Sequence, residues 1–265
     1  MINPFAKVSV YNVISGVNIV TWDLNPQFPV NGTCVFEVFR SRSGVGAWES
    51  VGTVTDGHLL EDTVRRIYGI VPRLYYYVKM TDTDGNVYAS NVKNAFGNLS
   101  NRDSSIVSEI LRKEYMYMRT YTGICGCLLK RRHWGTACTE CLDFDTGDIT
   151  SGQCDVCYGT GVVGGYFDPV SYYISESGNA PKRIEQSQAG GTSENAVTVA
   201  RGIVCPCVDT KDVWVNGQTD ERYMVQKVKT ISYRGVPVIY DSIELRLIPT
   251  TDIIYQFDIT GSSSS

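Results

Sequence analysis

A mainly β fold is what this sequence predicts: an N-terminal two-sheet sandwich, one connecting helix with a cysteine-rich insert, and a C-terminal barrel-like β domain. Three observations carry that prediction. Seventeen tyrosines and 25 glycines suit many short strands joined by tight turns. Apolar and polar residues alternate over residues 1–97 and again from Ala196 onward. Helical spacing is sustained in one stretch, ending near Arg119.

At 265 residues, 43% hydrophobic and 20% charged, the chain is long enough for two or three modest domains, most of it folded. A net charge of −4 argues against broad electrostatic capture of nucleic acid. No apolar run approaches the roughly 18 residues that a membrane span requires. Met1-Ile2-Asn3-Pro4 lacks a basic region followed by an apolar core, so synthesis and folding in the cytoplasm are expected and no membrane is implied. Gly261 to Ser265 form a small polar tail.

Within 1–97, strands are expected at Val17–Trp22, Cys34–Arg40, Trp48–Val54, Leu74–Met80 and Val87–Ser90, with a turn at Asp82–Gly85 before the last. Their spacing suggests a two-sheet sandwich. Trp22 in the second strand, the tyrosine-rich 74–80 strand and the Gly85 turn resemble a fibronectin type III domain, an Ig-like module that serves as spacer or binding surface. Ser100 to Ser104 offers helix caps, and Ile106, Val107, Ile110, Leu111, Tyr117 and Met118 recur at helical spacing up to a stop at Gly123. Residues 98–174 are thus expected to hold the helix and the cysteine-rich insert. Residues 175–195, rich in Gly, Ser, Asn and Gln, are expected to form an extended arm. Residues 196–260 form the last domain, with strands at Val213–Val215, Arg222–Val228, Val236–Tyr240 and Ile243–Leu247.

Nine cysteines in a chain without a secretion signal point to metal rather than disulfides. Cys138-Thr139-Glu140-Cys141 and Cys154-Asp155-Val156-Cys157 are separated by twelve residues. A two-residue gap lets both thiolates of a pair face one ion, and two such knuckles complete a tetrahedral shell that suits a structural Zn2+ with no open position. Cys157-Tyr158-Gly159-Thr160-Gly161 resembles the glycine-following knuckles of zinc-ribbon proteins, and with them the insert reads as zinc-ribbon-like. Substituting Cys141 by serine should then unfold 124–167 and leave 1–97 intact. Cys125-Gly126-Cys127 and Cys205-Pro206-Cys207 have one-residue gaps that place both thiols on one strand face. Those four are candidates for a second metal site, for cross-links between chains, or for simple core filling. Cys34 reads as core.

Lys130-Arg131-Arg132-His133 is a basic run that suits a phosphate backbone, an acidic partner or merely a solvated loop. His58 and His133 are the only histidines, and neither belongs to a nucleophile motif. No phosphate-cradling glycine loop or dinucleotide fingerprint is present. Asp82, Asp84 and Gly85 lack the glutamate that would close a calcium loop. No enzyme is expected.

From Asp212 to Leu247, the segments around Trp214, Tyr223, Arg234-Gly235 and Leu245 resemble head–tail connector proteins of tailed bacteriophages, small β-barrel proteins of the virion neck. The stretch from the helix through Lys130 to His133 and the knuckles to Tyr166 is similar to virion proteins of the same neighbourhood. The resemblance implies a homo-oligomeric ring in the virion, joining head and portal to tail, in contact with portal, adaptor and tail proteins, with packaged DNA passing through the lumen. Two rival readings stand beside it: a zinc-ribbon nucleic-acid-binding protein, and a cell-surface or carbohydrate-binding module built on the N-terminal sandwich.

Overall fold

The computed structural model describes residues 3–14, 17–25, 28, 30, 32–63, 73–143, 146–176 and 197–259. The chain is mainly β and divides into two units, one made of Met1–Arg112 with Arg132–Phe167, the other of Lys113–Arg131 with Asp168–Ser265. The expected 98–174 segment is therefore shared between them. Most of the expected 175–195 arm lies outside the described residues.

The first unit carries eight strands: β1 (Phe5–Ile14), β2 (Val17–Leu24), β3 (Val35–Ser41), β4 (Glu49–Thr55), β5 (Leu59–Thr63), β6 (Tyr75–Thr81), β7 (Val87–Ala89) and β8 (Lys93–Asn94). They form two antiparallel sheets, β1-β2-β5 and β4-β3-β6-β7, with β8 beside β6. Alternation explains which faces are hidden. Phe36 and Val38 of β3 and Tyr76, Val78 and Met80 of β6 point into one apolar cluster shared with Val20, Trp22 and Leu24 of β2. Each such side chain, fully buried, contributes about 1.5–3 kcal/mol.

The two ends of this core are closed differently. At one end a polar chain crosses between the sheets. Asn12 donates to Asn18 at 2.7 Å, Asn18 to the Tyr76 hydroxyl at 2.8 Å, and Tyr76 to Asp62 at 2.7 Å. Arg40 then grips Asp62 at 2.8 Å and reaches Glu49 at 2.8 Å. Burial, together with donation to Asp62, keeps the Tyr76 phenol a neutral donor. The other end is aromatic and is taken up with the site below.

Helix α1 (Asn101–Tyr117) begins at Ser100, whose hydroxyl accepts from the Asp103 amide at 3.1 Å and donates to its carboxylate at 2.9 Å. Val107 and Leu111 are its buried stripe, and it runs on as one π turn, Met118–Thr122, before Gly123.

The second unit is a closed barrel of β9 (Ile124–Leu129), β10 (Val170–Glu176), β11 (Val197–Ile203), β12 (Val213–Asn216), β13 (Arg222–Tyr233) and β14 (Val236–Leu247), in the order β10-β11-β14-β13-β12-β9. The barrel does not begin at residue 196: two of its staves, β9 and β10, come from either side of the insert. The two strands expected at 236–240 and 243–247 are one, because Asp241-Ser242 brings no glycine or proline to reverse the chain and Ser242 stays in register with Lys229. Where β9 passes β12, a side chain on Gly126 would strike the Val215 carbonyl and the Trp214 indole, so only glycine fits. Lys130 is buried, with its ammonium held between Asp209 and Asp212, 3.1 Å from the latter.

Candidate metal centre

Residues 132–167, which run between β9 and β10, form a loop pinched at its base. Arg132 donates its amide to Gly165 at 3.0 Å, Val163 to Thr136 at 2.9 Å and Cys138 to Gly161 at 2.9 Å, and Ala137 bridges Val162. Inside this neck the two cysteine pairs face each other. The first knuckle turns at Cys138, whose carbonyl accepts from Leu142, and its far side is fixed by Thr150 donating to the Cys141 carbonyl at 2.7 Å. In the second, Tyr158 donates to the Cys154 carbonyl at 2.8 Å and Thr160 to that of Cys157 at 2.9 Å. Tyr158, Gly159 and Gly161 all have positive φ. That left-handed path turns the amides of Gly159 and Gly161 onto the Cys157 sulfur.

All four cysteines are buried and none is in a disulfide. Their sulfurs lie within 4.8 Å of one another, with Cys138 to Cys154 at 3.7 Å and Cys141 to Cys157 at 3.0 Å. A tetrahedral thiolate cage with metal–sulfur bonds of about 2.3 Å has edges of about 3.8 Å. The Cys138–Cys154 separation matches such an edge and the Cys141–Cys157 separation is shorter, and the cluster can hold a metal ion.

The crowding of the four thiols also shifts their proton affinities. Burial and the neighbouring thiols push Cys141 up. Cys154 accepts the amides of Cys157 and Val156, which lowers it, but burial and its neighbours carry it upward overall. Burial raises Cys157 as well, but the Cys141 thiol and the Gly161 and Gly159 amides bring it down to about 7. Four sulfurs this close cannot all ionise unless a cation sits among them. Glu140 and Asp155 form with Cys154 a second group close enough to ligate, but it borrows a sulfur from the first and its carboxylates are exposed.

Cys125, Cys127, Cys205 and Cys207 do not form a second cage: among the described residues no such four-sulfur group exists. Cys125 is exposed on β9 and Cys127 half-buried, its thiol pushed up by burial, whereas Cys205 is buried and Cys207 sits 3.7 Å from the Tyr240 hydroxyl and from the Asp209 carboxylate. The strand placement expected of both pairs holds only for Cys125 and Cys127, on β9; Cys205 and Cys207 lie past the end of β11, at and just after a bend.

The basic run is not an open strip either. Lys130 is consumed by its aspartates, Arg131 gives its main-chain amide to Asp212 at 2.9 Å, and Arg132 donates to the Tyr166 carbonyl while lying 4.7 Å over the Phe167 ring. Only His133 is exposed. Beyond it, residues 134–166 contain Glu140, Asp143, Asp145, Asp148 and Asp155 and no lysine or arginine, so the metal lobe is acidic.

Sequence reasoning missed Trp134 and Phe167, one on each side of the pinched neck. Both are buried in the same apolar cluster as Trp22 and Phe36. Trp134 meets Phe36 at 5.4 Å and Phe167 at 5.4 Å, and Phe167 packs on His58 at 4.6 Å. The expectation that losing Cys141 would spare residues 1–97 loses its basis here. A large aromatic at each border of a metal knuckle pair was the available signal.

No protein-family model matches the chain, and no curated protein matches it. Among solved structures it is similar to one described as "Titin kinase and its flanking domains", at 7% identity and a TM-score of 0.31, covering 93% of this chain and 37% of that one. A likeness of that size carries no inference about fold or activity.

Proposed function

We propose that this protein is a non-catalytic structural component of a tailed-phage virion. In this reading it forms a homo-oligomeric ring in the neck, and its Cys138, Cys141, Cys154 and Cys157 bind one Zn2+. The carrying observation is the closed six-stranded barrel, three of whose staves, β12, β13 and β14, lie in the segment that resembles head–tail connectors. The sheet order β1-β2-β5 facing β4-β3-β6-β7 supports the fibronectin type III-like reading of the first unit, which would project from the ring as a spacer. Four sulfur donors in a buried cage favour zinc among the common divalent ions and leave no position for substrate. Against the nucleic-acid reading stand the buried Lys130 and the acidic lobe around the knuckles.

Mass photometry and negative-stain microscopy of the purified chain test the proposal. Concentration-dependent closed rings without affinity for duplex DNA are expected. A chain that stays monomeric at every concentration while binding duplex in a salt-dependent manner would instead favour the nucleic-acid reading.

A further inference from the structure

We infer that metal occupancy of the cysteine cluster sets whether one end of the two-sheet core is closed, so that the lobe is a latch on the first unit. The inference rests on reading that cluster as a metal centre. A continuous path joins sulfur to core. Cys138 is tied to Gly161 and Thr136 to Val163, so the segment leading back to Trp134 is held by residues that directly follow the second knuckle. On the other side, Gly164 donates to the Val156 carbonyl at 2.9 Å within the second knuckle. Any side chain on Gly165 would meet the Cys157 carbonyl at 2.8 Å, so Tyr166 and Phe167 follow directly from the metal loop.

What the latch holds is not self-sufficient. Trp22 and Trp134 both bury their indole N–H without a hydrogen-bond partner, a desolvation cost that water would relieve if Trp134 withdrew. Apolar burial of Trp134 and Phe167 against Phe36 and His58 opposes that withdrawal, but only while the neck presents both rings together. Residues 132–167 contain too little apolar surface of their own to fix the neck without the ion. The opposite end of the core, closed by Asn18, Tyr76, Asp62 and Arg40, shares no residue with this path. Loss of metal should therefore open one end and leave the other.

Hydrogen exchange on the full chain, first with Zn2+ and then after its removal by a chelator, tests this. Amide exchange at 20–24 and 34–38 should rise about tenfold or more, with 60–62 and 75–77 unchanged. Trp134→Ala provides the second arm, since it keeps all four cysteines. It should still bind one metal ion per chain, show the same local rise with Zn2+ bound, and bind Co2+ roughly tenfold more weakly, because coupling between two sites is reciprocal. Unchanged exchange at 20–24 and 34–38 in chain verified as metal-free, or in Trp134→Ala, overturns the latch and leaves the metal centre standing. Failure of the native chain to take up Zn2+ or Co2+ at all overturns the metal reading, and the latch falls with it.

Discussion

The two units solve the same problem in different ways. A pair of open sheets has two ends through which water can reach the core, and the first unit closes one with a polar chain from Asn12 to Glu49 and the other with Trp134 and Phe167. A barrel has no such open edges. The second unit closes its sheet by pairing β9 with β10, and its buried charge, Lys130, is answered from within by Asp212. One unit depends on a remote insert and the other on contacts among its own staves. Damage to the insert should therefore reach the first unit's core at the end that Trp134 and Phe167 close, and leave the barrel unchanged.

The largest contrast should come from Cys141→Ser. Losing one of four ligands should reduce bound metal from about one ion per chain to a small fraction. Calorimetry should then show the first unit's transition moving down by ten degrees or more while the barrel's stays in place, since about 1 kcal/mol shifts a domain of this size by roughly 2–4 °C. A single transition moving as a whole would mean that the units melt together and the comparison does not hold.

Next in size is Lys130→Met. Removing the cation leaves Asp212 buried and uncompensated, which costs about 3–5 kcal/mol, whereas Lys130→Met with Asp212→Asn should recover most of it. The pH dependence has a definite sign. Burial raises Asp212 from 3.8 to about 6 despite Lys130 and the amides of Arg131 and Asp209. A raised carboxyl binds its proton more tightly in the folded chain. Its stabilising contribution is thus complete below the unfolded value and lost as pH rises through about 6. Without Lys130 the folded value climbs further, so the variant's deficit should be smaller at pH 5 than at pH 8, as urea titrations at both would show.

Tyr76→Phe probes the polar end of the first unit. It removes the donor to Asp62 and the acceptor for Asn18 at once, leaving both buried groups short of a partner, at about 1–3 kcal/mol. The same change should leave metal content untouched. Lowered zinc in this variant would show that the two ends of the core are coupled.

What the sequence made legible follows from how local each signal was. Strands β3 and β6 were visible because period-two alternation is written in consecutive residues. The four-cysteine cage was visible for the same reason, since each knuckle's geometry is set by a two-residue gap. The barrel's closure was not, because β9 and β10 pair across a loop of forty residues, Lys130 to Pro169, and nothing in ICGCLL or VSYYISE announces that partner. Lys130 misled for a related reason. Its aspartates lie 79 and 82 residues away, so a buried ion pair looked like the start of a surface patch.

The smallest effect separates two ion pairs of the same barrel. Lys229 and Asp241 are 3.1 Å apart on neighbouring strands, a distance equal to that between Lys130 and Asp212, but the Lys229 side chain is 69% exposed. Water and salt screen that pair, and holding a long side chain in place offsets most of what remains. Lys229→Ala should therefore change barrel stability by less than about 0.5 kcal/mol, within the scatter of a urea titration. If it instead approached the cost of Lys130→Met, the hairpin formed by β13 and β14 would have to be shielded from solvent by something else, and an assembled ring burying that hairpin would be the first place to look.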